Sequence, residues 1–176
     1  MKQISELFDL YGDRSYGEHV NQREHALQCA CLAEAAGEKL TMIAAALLHD
    51  VGQFIEGAGD AAEERGADGV HERLGQVFLE QWFPVEVTRP VALHVAAKRY
   101  LCAVEPGYLQ ALSGASALSL RLQGGPFSET ERKAFECDPH FRDAVQLRRY
   151  DDGGKEPGMA TPPLEHYLKL IRPLMK

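Results

Sequence analysis

Apolar positions recur at helical spacing along almost the whole chain. Ile4, Leu7, Phe8 and Tyr11 share one face of a segment at 2–11, and a polar turn, Gly12-Asp13-Arg14-Ser15, follows it. The next helix is predicted from Asn21, an N-cap with Glu24 three residues later, to Gly37, a C-terminal glycine. Residues 40–51 are apolar nearly all round, which predicts a central buried helix ending at Gly52. Over 53–70 the composition changes. Gly57, Gly59, Gly66 and Gly69 stand among acidic and alanine residues, predicting a surface loop long enough to carry function. Helical spacing resumes at 70–83. Pro84 starts a helix to about Tyr100, and Pro106 starts another to about Leu122, which Gly124-Gly125-Pro126 ends. Helices are predicted at 129–136 and 139–150, then a loop from Asp152 to Pro163, then a terminal helix at 164–175 interrupted by Pro173. No segment alternates apolar and polar residues, so the expected class is all-α, one helical domain over 1–176.

Composition narrows the partners. The 176 residues are 45% apolar and 26% charged, which suits a folded domain rather than a disordered chain. Nineteen Lys and Arg against 26 Asp and Glu give a net charge of −7, which argues against nucleic acid or an anionic membrane as the main partner. The opening residues lack the apolar stretch of a secretory signal, and the longest apolar run, Met42 to Leu48, is far short of a membrane span. Cys29, Cys31, Cys102 and Cys137 form no CxxC pair, so free thiols in a reducing cytoplasm are expected.

The chemistry gathers around histidine. His49-Asp50 stands at the end of the most apolar helix, where a carboxylate is expensive unless it is paired or bound to a metal. A lone His-Asp dipeptide is weak evidence, since short motifs match by chance. Here it has company: His25, His71, His94 and Asp151 each fall on a different helix. Four imidazoles and two carboxylates make a mixed N/O set suited to iron, manganese or another first-row divalent ion. Six ligands exceed what one ion needs, so two ions sharing Asp50 is the economical reading.

The order His25, His49-Asp50, His71, His94, Asp151 resembles the HD-domain superfamily, and the two extra histidines resemble its dinuclear branch. Residues 20–25 (VNQREH), 45–52 (AALLHDVG), 94–101 (HVAAKRYL), 122–126 (LQGGP) and 148–151 (RRYD) resemble, more narrowly, the phosphonate-degrading HD oxygenases; myo-inositol oxygenase is a more distant member. The likeness spans about residues 10–170. It implies a single HD-domain helical bundle holding a mixed-valent Fe(II)/Fe(III) pair, with O2 as co-substrate. One iron would take His25, His49, Asp50 and Asp151; the other would take Asp50 as a bridge, with His71 and His94. A gating tyrosine and its glutamate would be Tyr16 and Glu18, with Tyr11 as the alternative tyrosine. Lys98, Ser116 and Arg148 would bind the phosphonate, and Gln53, which stands where relatives often carry His, would bind the substrate through its phosphonate or hydroxyl.

The implied reaction opens the C–P bond of a 1-hydroxy-2-(amino or trimethylamino)ethylphosphonate and releases phosphate with glycine or betaine. A trimethylammonium group would favour aromatic or carboxylate neighbours, for which Tyr11, Tyr16, Phe54 and Glu18 are candidates. Two other classes are a metal-dependent phosphohydrolase acting on a nucleotide or other phosphate ester, and a non-catalytic phosphonate sensor. A simple hydrolase needs neither the two extra histidines nor the tyrosine gate, and a sensor would be expected to lose ligands. His19, His140 and His166 read as surface or structural residues, and Arg99 and Arg149 as facing away from the site.

Overall fold

The computed structural model describes residues 1–15, 19–55 and 70–176, and every regular element among them is helical. In chain order these are α1 (Lys2–Tyr11), α2 (Gln22–Ala35), α3 (Leu40–Leu48), α4 (Val51–Ile55), α5 (His71–Leu79) and α6 (Val85–Val104). Then come α7 (Tyr108–Ala111), α8 (Gly114–Leu122), α9 (Glu129–Glu136), α10 (Phe141–Gly153), α11 (Leu164–Ile171) and a 3-10 turn at Arg172–Leu174. The all-α expectation holds. No described helix is long and apolar enough to cross a membrane.

Helix α3 is the centre of the bundle. Met42 to Leu48 are all buried, and α2, α6, α10 and α11 pack around them. The run Ala44-Ala45-Ala46 lets neighbouring backbones approach, while Leu47 and Leu48 each add about 2 kcal/mol of hydrophobic stabilisation. Helix α2 begins where the sequence predicts. The Glu24 N–H donates to Asn21 Oδ1 (2.8 Å) and the Asn21 N–H donates to the Glu24 carboxylate (2.9 Å), a reciprocal cap. Helix α6 packs on α3, α5 and α10, so one long helix touches three elements that carry or adjoin metal-type ligands.

The differences from the sequence reading concern breaks. The buried helix predicted over 40–51 stops at Leu48. His49 and Asp50 form a corner, and the chain resumes as α4 through Ile55. Gly52 explains the close crossing that follows: a Cβ there would stand 1.9 Å from the His71 carbonyl oxygen and 2.8 Å from the Gly75 nitrogen. The helix predicted from Pro106 to Leu122 is two helices. Gly107 adopts φ +85° to open α7, and Ser113 Oγ caps a fresh start at α8 by accepting from the Ser116 N–H. Helix α6 runs on to Val104, α10 continues through Gly153, and the terminal helix ends at Ile171. The glycine-rich stretch at 56–69 lies outside the described residues.

Gly52→Ala is expected to destabilise the fold by about 1–3 kcal/mol, because backbone rather than a flexible side chain must give way. Denaturant unfolding checks this; an unchanged midpoint would contradict the close α4–α5 crossing.

Candidate metal centre

Five helix ends or faces deliver the six ligand-type residues to one place. His25 lies in the first turn of α2, and His49-Asp50 form the corner after α3. His71 opens α5, His94 lies in the middle of α6, and Asp151 is near the end of α10. His25, His49, Asp50, His94 and Asp151 are buried, and His71 is half-buried.

The Asp50 carboxylate sits between two pairs of rings. Its Oδ2 is 3.4 Å from His49 Nε2 and 3.8 Å from His25 Nε2. Its Oδ1 is 3.1 Å from His71 Nε2 and 3.6 Å from His94 Nε2. Within each pair the Nε2 atoms are 3.1 Å (His25, His49) and 3.2 Å (His71, His94) apart. Asp151 Oδ1 joins the first pair, at 3.5 Å from His25 Nε2 and 4.0 Å from His49 Nε2. Donors held about 2.1 Å from one ion lie roughly 3.0–3.4 Å from each other, so both groups have the spacing of a coordination shell.

Backbone carbonyls fix the tautomers. His25 Nδ1 donates to the Gly154 carbonyl (2.8 Å), His49 Nδ1 to Ala46 (2.9 Å) and His94 Nδ1 to Val91 (2.7 Å). A carbonyl only accepts, so the ring proton is on Nδ1 and the Nε2 lone pair points inward. Burial and the neighbouring His49 hold His25 down to about 4; burial, His71 and His49 hold His94 down to about 3. Both are neutral bases at neutral pH. Burial pushes the Asp50 carboxyl up, but the surrounding imidazoles, His49 first, outweigh it and keep it ionised. Lone pairs therefore face each other across 3.1 Å, beside a buried Asp50 Oδ2 that has no hydrogen-bond partner. Such an arrangement is costly without a cation between the donors. The residues fit a metal pair.

The closest thiol, Cys29 Sγ, is 3.8 Å from the His25 ring and within reach of the first group. Burial, then the charges of Asp151 and Asp50, push its pKa well up, so it packs behind His25 as a protonated thiol. Gly154 must stay small for that packing, since a Cβ there would stand 2.4 Å from Cys29 Sγ.

Lys98, Ser116 and Arg148 come together beside Asp151. Lys98 Nζ donates to Ser119 Oγ (2.7 Å), one turn from Ser116. Arg148 reaches Ser116 Oγ only at 3.5 Å. Its guanidinium is mainly engaged elsewhere: Nη1 donates to Asp151 Oδ2 (2.6 Å), Nη2 to Asp152, and Nε to the Tyr108 hydroxyl (3.0 Å). Arg148 thus holds the outer oxygen of Asp151 while the inner oxygen faces the histidines. Gln53 Oε1 accepts from Gln22 Nε2 (2.9 Å), so Gln53 is tied to a buried partner at the start of α2. Tyr11 stacks on Phe54 with centroids 6.1 Å apart, under the Arg14 guanidinium. Tyr16 and Glu18 lie outside the described residues.

Sequence reasoning missed Lys155, Ser119, Tyr108 and Gln22. Lys155 Nζ donates to Ser116 Oγ (3.1 Å) and lies 4.0 Å from Asp151 Oδ1. Its i+4 offset from Asp151 was a usable signal, hidden by the pair of glycines between them. Four of the residues read as lying outside the site are paired elsewhere. Arg99 bonds Gly125 and Glu131, Arg149 bonds Glu105, His166 pairs with Glu34 and His140 with Asp143.

An HD-domain family model matches residues 23–138, and the chain belongs to the HD-domain family. Within it the chain falls in the phosphonate-degrading oxygenase branch. It is 42% identical over 170 residues to the [1-hydroxy-2-(trimethylamino)ethyl]phosphonate dioxygenase (glycine-betaine-forming) of Leisingera caerulea, covering 96% of this chain and 87% of that one. It is 43% identical over 170 residues to the hydroxymethylphosphonate dioxygenase of Gimesia maris, covering 94% of this chain and 85% of the relative. An uncharacterized protein of Acanthamoeba polyphaga mimivirus is 37% identical over 172 residues, with 96% and 78% covered.

Asp50→Ala removes the one donor common to both groups. Bound metal is expected to fall from two ions per chain to less than one, with helical content kept, as metal analysis and circular dichroism will show. A variant retaining two ions would contradict the shared position of Asp50.

Proposed function

We propose that this protein is a diiron oxygenase that cleaves the C–P bond of a 1-hydroxyphosphonate with O2, releasing phosphate. The single observation that carries the reading is Asp50, with one oxygen toward each histidine pair, next to a cluster of cations around Ser116. Both named relatives take a substrate whose hydroxyl and phosphonate share one carbon. The substrate proposed here is the 1-hydroxy-2-(amino or trimethylamino)ethyl member, giving glycine or betaine. The mixed N/O ligand set supports a mixed-valent iron pair.

His25, His49, Asp50 and Asp151 would hold one ion, and Asp50, His71 and His94 the other. When bound, the pair supplies the electrons and open positions that activate O2 and polarise the substrate hydroxyl. The protein does the rest. Lys98, Lys155 and Ser116 set ammonium and hydroxyl donors around the phosphonate, orienting its carbon toward the histidines. Arg148 keeps Asp151 ionised and aimed inward. Burial excludes bulk water, which strengthens each of these contacts. Tyr16 and Glu18 are assigned the gate before substrate binds. The chain is read as one domain, acting in the cytoplasm, where its four free cysteines stay reduced.

The direct experiment loads the protein with Fe(II) without oxygen, then adds O2 with the amino, trimethylamino and hydroxymethyl substrates. One phosphate released per O2 consumed, and none without O2, is expected. Oxygen-independent phosphate release from phosphate esters would contradict the oxygenase in favour of a hydrolase.

A pH dependence follows from Lys98. Burial, then the Arg148 charge, hold its ammonium down to about 8, so it is charged below that pH and neutral above it. In the free enzyme kcat/KM is expected to fall as pH rises through about 8. Lys98→Met should lose this limb and raise KM at least tenfold with metal content unchanged. A limb persisting in the variant would place it on another group.

A further inference from the structure

A cavity of about 670 Å³ lies on the far side of the cation cluster, between α7 and the end of α10. Tyr108, Ala111, Ser113, Arg149, Asp152 and Lys155 line much of it, and exposed Gly107 and Ala111 mark where it meets the surface. Its volume is that of a small-molecule site, not a packing defect. Three of its lining residues also belong to the candidate site. Lys155 Nζ bonds Ser116 Oγ (3.1 Å), and the Tyr108 hydroxyl and the Asp152 carboxylate both bond Arg148. The wall between cavity and phosphonate position is therefore one side chain thick.

The members of that wall differ in the side chain that carries the charge. Arg148 is pinned by Asp151, Asp152 and Tyr108. Lys155 carries its charge on a flexible four-carbon stem, and rotamer changes of such a chain need no backbone movement. Its ammonium reaches Ser116, and the same residue lines the cavity. The cavity also does not repel an anion. Glu105 is paired with Arg149, and Asp152 with Arg148.

Resting on the reaction proposed above, we propose that this cavity is the exit for inorganic phosphate, with Lys155 as the swinging cation that carries it from Ser116 to the surface. Phosphate is formed against Lys98, Ser116 and Lys155, in the part of the site next to the cavity. Leaving through the cavity, it does not have to pass the metals or the carboxylic acid product.

The test plugs the cavity from an exposed position. Ala111→Trp fills it, Leu112→Phe fills it from the next residue, and Leu109→Trp adds the same bulk to α7 outside it. The readouts are single-turnover rate, kcat/KM for the phosphonate, and kcat. For both plugs, kcat is expected to fall at least fivefold, with a burst of about one phosphate per site retained on the protein. Single-turnover rate and kcat/KM should stay within twofold of wild type, and Leu109→Trp should behave as wild type. An unchanged kcat in the plugged proteins would overturn the exit. So would a parallel loss of kcat/KM, which would make the cavity the way in. Absence of O2-dependent phosphate release by the wild-type protein would instead overturn the proposed reaction itself.

Discussion

One buried carboxylate organises the protein. Asp50 stands at the corner after the most apolar helix, and each of its oxygens faces a different pair of imidazoles. Burying a carboxylate beside imidazole lone pairs that face each other, as those of His25 and His49 do, costs several kcal/mol unless cations fill the gaps. The rest of the bundle holds that corner still. The apolar α3 fixes its approach, Gly52 lets α5 cross at backbone contact, and three carbonyls orient the rings from behind. The ligands are held by the fold's strongest part, and the fold's least favourable electrostatics are concentrated at the ligands.

The charge balance has a local counterpart. A chain of net charge −7 would ordinarily repel a dianion. Asp50 and Asp151 are occupied with the metal position, and Asp152 is occupied with Arg148 and Tyr108. The two ammonium groups that bond Ser119 and Ser116, those of Lys98 and Lys155, lie on the other side of these carboxylates. A locally positive pocket inside an acidic protein selects a small anion without attracting polyanions.

Much of this was legible in the sequence, for identifiable reasons. The period of 3.6 exposed the helices, the Asn21/Glu24 spacing marked the start of α2, and the six ligand types stood out because histidine and aspartate rarely belong on apolar helices. What was hidden depends on tertiary contact or on a local break. The split between α7 and α8 follows from Ser113 capping a new helix within an otherwise helical pattern. Lys155 lies in the loop after α10, as the sequence indicates, and only the tertiary fold shows that its ammonium reaches Ser116 Oγ. The family resemblance implied Arg148 as a phosphonate contact. Its i+3 and i+4 carboxylates, Asp151 and Asp152, mark where its guanidinium points in this structure. No local pattern could place the Tyr108 hydroxyl on Arg148, which comes from a helix 40 residues away.

The central claim is that two metals share Asp50. Anomalous X-ray scattering at the iron edge, from crystals of the protein loaded with Fe(II) under anaerobic conditions, tests it most directly. Two peaks per chain are predicted, one in contact with Asp50 Oδ2 beside His25, His49 and Asp151, and one in contact with Oδ1 beside His71 and His94. A single peak, or a first peak ligated by Cys29 in place of Asp50, would contradict it.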